Sequence, residues 1–409
     1  MKTADLCAGS KRRMLVLWCA FLTFGAAHSA GADTMQQGRQ PAYEITLLPS
    51  LGGTSSRGNT INERGWVSGF SNLPGDAIRH ATLWRNGNIV DLGTLGDPNS
   101  SNSNVPIAGL NNRGTIVGIS QTALPEPAGE DWSCSIFFPP GMNTGVTCLG
   151  FVWESGEMEP VPTLGGNNGF ATGVNSRGQI TGWAENDIED PDCVAPQVFQ
   201  FRGFVWDPGK DRFTELPPFP GDKVSTGNAI NERGQVVGIS GICDDAVGKF
   251  SALRAVMWDK GEVIDLGNLG GISWHTPWAI NERGDVVGFS NPPGDDNGEF
   301  MAHAFLWTRH DGMQDLGTLP GDLFSQANGI NARGQIVGVS FGGSDGLRAF
   351  LRENGDDEMT DLNTRVAPGF SGILPDARDI NEQGQITGSA FDAATGETRA
   401  FVATPVGRF

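Results

Sequence analysis

Few side chains in this chain stand at spacings that chemistry can use. His80 and His303 each open a His-Ala string, whereas His275 and His310 have no repeated partner. A metal ligand or general base needs a lone pair. At the position of His80 and His303 other stretches carry Arg202, Arg254, Arg348 and Arg399, and arginine stays protonated and neither accepts nor coordinates. That position is read as a donor that fixes neighbouring backbone or an acid such as Asp91, Asp265 or Asp315. There is no Gly-x-Ser-x-Gly elbow, no His-Glu-x-x-His and no phosphate-binding glycine loop before a helix, so no catalytic residue is assigned. Cys134, Cys148, Cys193 and Cys243 lack the Cys-x-x-Cys spacing and nearby histidine of a zinc site. The acidic loops 185–192, 295–299 and 356–358 lack the ligand spacing of a calcium loop and are read as solvated charge. No metal and no cofactor is expected.

Other candidates are recognition residues. Trp132, Phe137, Phe138 and Phe199 look exposed, beside Pro139 and Pro140; Trp274, His275 and Trp278 replace small polar residues; Arg378 and Asp379 stand where comparable stretches have Asn and Gly or Ala. Aromatic and arginine side chains give large contact area at modest entropic cost, as a binding surface requires. The competing reading is that they pack insertions onto the fold.

What positions them is a repeat. Ile61-Asn-Glu-Arg-Gly65 recurs as Leu110-Asn-Asn-Arg-Gly114, Val174-Asn-Ser-Arg-Gly178, Ile230-Asn-Glu-Arg-Gly234, Ile280-Asn-Glu-Arg-Gly284, Ile330-Asn-Ala-Arg-Gly334 and Ile380-Asn-Glu-Gln-Gly384. The last three intervals are 50 residues, and the longest, 64 and 56, hold insertions. Apolar residues come in short β-branched or aromatic runs broken by Gly, Asn, Asp and Pro, so each unit reads as four antiparallel strands. In Asn-x-x-Gly the Asn opens a tight turn and the Gly takes a left-handed conformation, which suits a type I turn with a bulge. Small residues before the turn (Thr60, Gly109, Gly173, Ala229, Ala279, Gly329) fit a crowded axis. Trp84, Trp153, Trp206, Trp258 and Trp307 share one outer position and suit the wedge between blades.

The seventh unit ends after three strands, and the missing fourth is sought at Tyr43 to Gly53. The expectation is an all-β, seven-bladed β-propeller closed by an N-terminal strand joining the last blade, with an open β-solenoid as the competing architecture. In a propeller, connections between second and third strands share one face with those between blades. The insertions, Trp132, Phe137, Phe138, Trp274, His275, Trp278, Arg378 and Asp379 therefore belong to that face.

His303-Ala-Phe-Leu-Trp307, with Asp315-Leu-Gly-Thr-Leu319 and the upstream Ile-Asn-x-x-Gly-x-Val-Val-Gly, resembles the HAF-repeat proteins, a group of extracellular bacterial repeat proteins. The resemblance covers nearly all of the chain after the N-terminal segment. Histidine itself appears only at His80 and His303, and the second unit departs with Leu149-Gly-Phe151. It implies export and a repeat fold and carries no reaction.

Residues 1–32 read as a secretory signal peptide, with Lys2, Lys11, Arg12 and Arg13 before an apolar stretch from Met14 to Ala27 and a small-residue cleavage site at Ala30-Gly-Ala32. Residues 33–42 read as a linker and 43–409 as one domain. After the signal segment nothing approaches the ~20 apolar residues of a membrane span. The formal charge of -19 becomes -22 when the four bases and Asp5 of the segment are removed. A field of that sign opposes nucleic acid and anionic lipid surfaces. Four cysteines in a secreted or periplasmic chain suggest disulfides, with three connectivities open; Cys134–Cys148 would close one insertion and Cys193–Cys243 would tie neighbouring blades.

The functional expectation is a binding or scaffold protein that recognises an extracellular or envelope glycan, peptide or protein through its insertion-bearing face. The alternative is a propeller enzyme of lyase or hydrolase type, with His275, Arg378 and Asp379 at the mouth of the central channel.

Overall fold

The computed structural model describes residues 42–130, 137–138, 145–244 and 248–407. Trp132 and Cys134 lie outside them. Seven four-stranded antiparallel sheets form the blades of a β-propeller: blades 1 to 6 span 56–91, 103–160, 165–216, 224–265, 276–315 and 324–361. Blade 7 is composite. Its three inner strands, Ile373–Ile380, Ile386–Asp392 and Glu397–Val406, are completed by Ala42–Leu47 from the N-terminal side, paired from Ala42↔Val406 to Leu47↔Phe401. The donated strand is anchored by Tyr43, which is 1% exposed. The donated strand covers the outer edge of Glu397–Val406 and brings blade 7 to the same four strands as the other six.

The turn that ends each first strand has the chemistry read from sequence. Gly65 donates its N–H to the Asn62 carbonyl at 3.0 Å and Asn62 donates to Trp66 at 3.0 Å, while Gly65 sits at φ +70°. The Asn62 side-chain oxygen accepts the amides of Arg64 and Trp66. The second repeated glycine has a different cause. In the first strand the register slips between Gly227 and Ala229, pushing the Thr226 carbonyl toward the second strand, where a Cβ on Gly238 would lie 1.8 Å from it. Only a residue without a side chain fits opposite such a bulge.

Outer positions fill the wedges. Trp84 and Trp258 are 3% and 4% exposed and donate their indole N–H to the carbonyls of Pro49 and Pro217 at 2.7 and 2.9 Å. The His/Arg position pairs with the neighbouring outer strand as the sequence indicates: His80 with Asp91 at 2.8 Å, His303 with Asp315 at 2.9 Å and Arg254 with Asp265 at 3.2 Å. Its hydrogen bond to Asp315 raises the pKa of His303.

Candidate functional site

The two faces of the disc differ in chemistry. Turns between first and second strands lie on one face and carry the Asn, Glu, Arg and Gly of the repeat. On the other face lie the connections from second to third strand and from blade to blade. Among the described residues ten large apolar side chains are exposed. Leu124, Ile188, Val194, Ile242 and Leu347 lie at second-to-third-strand connections, and Ile272, Leu323, Ile373 and Leu47 at the ends of blade-to-blade connections. Only Val406 is on the turn face. The exposed apolar side chains are thus distributed unevenly between the two faces.

The insertions of blades 2 to 4 are packed rather than projecting. Phe137 and Phe138, expected on the surface, are 8% and 2% exposed and cluster with Phe170, Trp183, Phe201 and Cys148. This corrects the expectation of exposed rings at these two positions: burial of their apolar area holds the insertion onto the inner strands. Phe199 is partly buried. Cys193 and Cys243 form a disulfide between blades 3 and 4, with Cα atoms 4.4 Å apart. Cys148 is also disulfide-bonded.

A polar knot fixes the same insertions. Glu130 accepts the amides of Val198 and Phe199, and Glu185 accepts that of Asn168 at 2.9 Å. Gln197 Nε2 lies 3.4 Å from Glu130 and 3.3 Å from Glu185. Both carboxylates are fully buried. Burial, and then the charge of Glu130, push Glu185 up to about 7.

Trp274 and Trp278 belong to a cluster that the sequence only half reveals. Phe300, on the second-to-third-strand connection of blade 5, is the hub: its ring lies 5.3 Å from Trp274, 5.7 Å from Phe289, 6.2 Å from Phe324 and 6.3 Å from Phe341. Trp278 joins through Phe289 at 6.1 Å and also packs on the insertion cluster, so it links blade 5 to blades 2 to 4. Phe300, Phe324, Phe341 and Trp278 are partly exposed, while Trp274 is 8% exposed. Trp274 holds a left-handed backbone at φ +61°, a strain of about 1–3 kcal/mol for a bulky residue. Its indole donates to the Gly298 carbonyl at 2.9 Å and packs so closely on Gly248 that a Cβ there would lie 2.1 Å from the ring. Asp295 holds the same connection by accepting the amides of Ile272 and Ser273 and the side chain of Asn291. Phe289, Phe300, Phe324 and Phe341 were missed in the sequence because each stands at a different repeat position, and only folding joins them.

The residues offered for a polar site at the channel mouth have separate partners. His275 is 1% exposed, bonds Ser290 at 2.8 Å, and is pushed by burial down to about 4, so it is neutral at ordinary pH. Arg378 is 9% exposed and reaches Asp376 at 3.2 Å; Asp376 in turn accepts the Ser389 amide and hydroxyl. Asp379 accepts the amides of Ile61 and Ile380 at 2.9 and 2.8 Å, stitching blade 7 to blade 1. Burial pushes it up to about 7. Among the described residues no group of three or more His, Cys, Asp and Glu side chains is placed to hold a metal, and no helix is long and apolar enough to cross a membrane.

No family model matches the chain, and no curated protein is similar to it. Among solved structures the chain is similar to a gluconolactonase from Xanthomonas campestris, at 12% identity over 81% of this chain and 91% of that one, with a TM-score of 0.36. It is also similar to a puromycin-hydrolyzing peptidase from Mycobacterium tuberculosis (12% identity, 87% of this chain and 61% of that one, TM-score 0.42) and a Trypanosoma rangeli sialidase (10%, 78% and 56%, 0.39).

Proposed function

We propose that this chain is an exported HAF-repeat protein whose propeller docks a protein or peptide of the cell envelope or the extracellular space on its insertion-bearing face. The observation that carries the reading is the one-sided distribution of exposed large apolar side chains, nine of ten on that face among the described residues. Their type narrows the ligand class. Sugar rings stack on open, flat aromatic platforms, whereas here the exposed groups are Leu, Ile and Val, and the rings of Phe300, Phe324 and Phe341 are half-buried. Exposed aliphatic side chains suit the apolar anchors of a polypeptide.

The test is selection from a peptide library displayed on phage against the wild-type protein, followed by affinity measurements on Leu323→Asp and Leu124→Asp. Selected sequences are expected to lose about tenfold or more in affinity on at least one variant. Sequences that bind wild type and both variants equally would discard this face as the docking surface.

A further inference from the structure

We infer that the patch centred on Phe300 takes a basic, apolar polypeptide segment, with aliphatic or aromatic anchors flanked by Lys or Arg. The inference rests on the docking role proposed for this face and adds the charge of the partner. The anchors have their floor in the half-buried rings of Phe300, Phe324 and Phe341, beside Leu323, which is 61% exposed and donates its amide to the Phe341 carbonyl at 3.0 Å; Ile272 and Leu347, 47% and 44% exposed, lie on the adjoining connections. The rim is acidic. Asp296 and Glu299, on the connection that leads into Phe300, and Asp345, two residues before Leu347, are all exposed. Two cations stand near the rim and offset only part of its charge: Arg348 pairs with Asp322 at 2.8 Å and more loosely with Asp345 at 3.8 Å, and Lys249 lies over the Phe250 ring at 5.4 Å. The whole chain adds a field of the same sign, with a formal charge of -19. Cationic flanks are therefore drawn in and positioned by the rim while the apolar anchors supply the contact. An acidic peptide or an anionic lipid surface is repelled.

The experiment is fluorescence anisotropy with labelled synthetic peptides that share the same Leu and Trp anchors and differ in their flanks, Lys, Glu or Ser, together with a Lys peptide without anchors. The Lys-flanked apolar peptide is expected to bind best, with an affinity that falls about tenfold at high salt and about tenfold in the triple variant Asp296→Asn, Glu299→Gln, Asp345→Asn. The control variant Glu157→Gln, Asp357→Asn, Glu358→Gln, which removes three exposed acids away from this face, is expected to leave binding unchanged. If all three apolar peptides bind equally and Leu323→Asp abolishes binding, the docking reading stands and the basic partner is overturned. If the control triple weakens binding as much as the rim triple, or the anchorless Lys peptide binds as well, attraction is a property of the whole acidic surface and the inference falls. Failure of every anchored peptide to bind removes the inference and the docking reading together.

Discussion

The side-chain amide of Asn381 donates to the main-chain carbonyl of Asn62 at 3.0 Å, across 319 residues of sequence. The same bond runs from Asn62 to Asn111, Asn111 to Asn175, Asn175 to Asn231, Asn231 to Asn281, Asn281 to Asn331 and Asn331 to Asn381, all at 3.0 to 3.1 Å. Seven turn residues thus form one closed circle of hydrogen bonds. Each Asn uses its oxygen to hold its own turn and its nitrogen to hold the next blade. The bond at the seam is indistinguishable from the other six, so the ring closes without strain at that level.

Asn381→Ala removes one of the two donors to the buried Asn62 carbonyl, which keeps the Gly65 N–H, and leaves the Gln383 and Gln385 amides without their acceptor. A loss of about 1–3 kcal/mol is expected in urea unfolding. Asn88→Ala, on an exposed outer turn, is expected to stay within about 0.5 kcal/mol of wild type. Equal losses in the two variants would show that the circle adds nothing.

Gly238→Ala places a methyl group 1.8 Å from the Thr226 carbonyl oxygen. The bulge in the first strand leaves that oxygen nowhere to go, so a loss of about 3 kcal/mol or more is expected. Thermal unfolding of this variant beside Gly221→Ala, where nothing lies within 4 Å of the added carbon but φ is +99°, separates collision from conformational strain. A smaller loss for Gly238→Ala than for Gly221→Ala would contradict the close approach.

The Cys193–Cys243 bridge spans 50 residues. Restricting a loop of that length in the unfolded chain is worth about 2–4 kcal/mol. The double variant Cys193→Ala, Cys243→Ala is expected to unfold at correspondingly lower denaturant, and wild type and double variant should converge under reducing conditions, which also open the disulfide of Cys148. A double variant as stable as oxidised wild type would mean that burial around Phe199 and Phe201 alone holds the two insertions.

Glu185 titrates near 7 in the fold against an ordinary 4.5, and Asp379 near 7 against 3.8. The folded chain therefore binds more protons than the unfolded chain between those limits, and stability falls as pH rises through the window. The contribution is complete below about 4 and gone above about 7. Glu185→Gln keeps the shape and removes the titration. Its melting temperature is expected to fall less than that of wild type from pH 5 to pH 8, and to exceed wild type at the upper end. Parallel melting curves for the two proteins would place the proton elsewhere.

The repeat itself announced the blades: Asn-x-x-Gly specifies a turn through local backbone chemistry, and seven copies at propeller spacing bury no core unless they stack. The composite last blade was legible as well, because a unit short of one strand and an orphan strand at the other end have one economical solution. The Arg exchange alone marked the position of His80 and His303 as a donor to neighbouring backbone or to an acid such as Asp91 or Asp315, and the fold supplies the acid. These are readings of local geometry and of periodicity, which a linear chain records directly.

Contacts between non-equivalent positions were decided by folding. The sequence identified Asn as a turn former but gave no sign that its amide reaches the next blade, since one residue type satisfies either role. Phe137 and Phe138 look the same in a string whether they face water or Phe170, and the structure buries them. Phe300, Phe324 and Phe341 come from three strand ends and connections in two blades, and no period relates them. Periodicity fixes what every blade shares, whereas a binding surface is made of what the blades do not share. Its side chains are brought together only when the ring closes and the connections fold across its face.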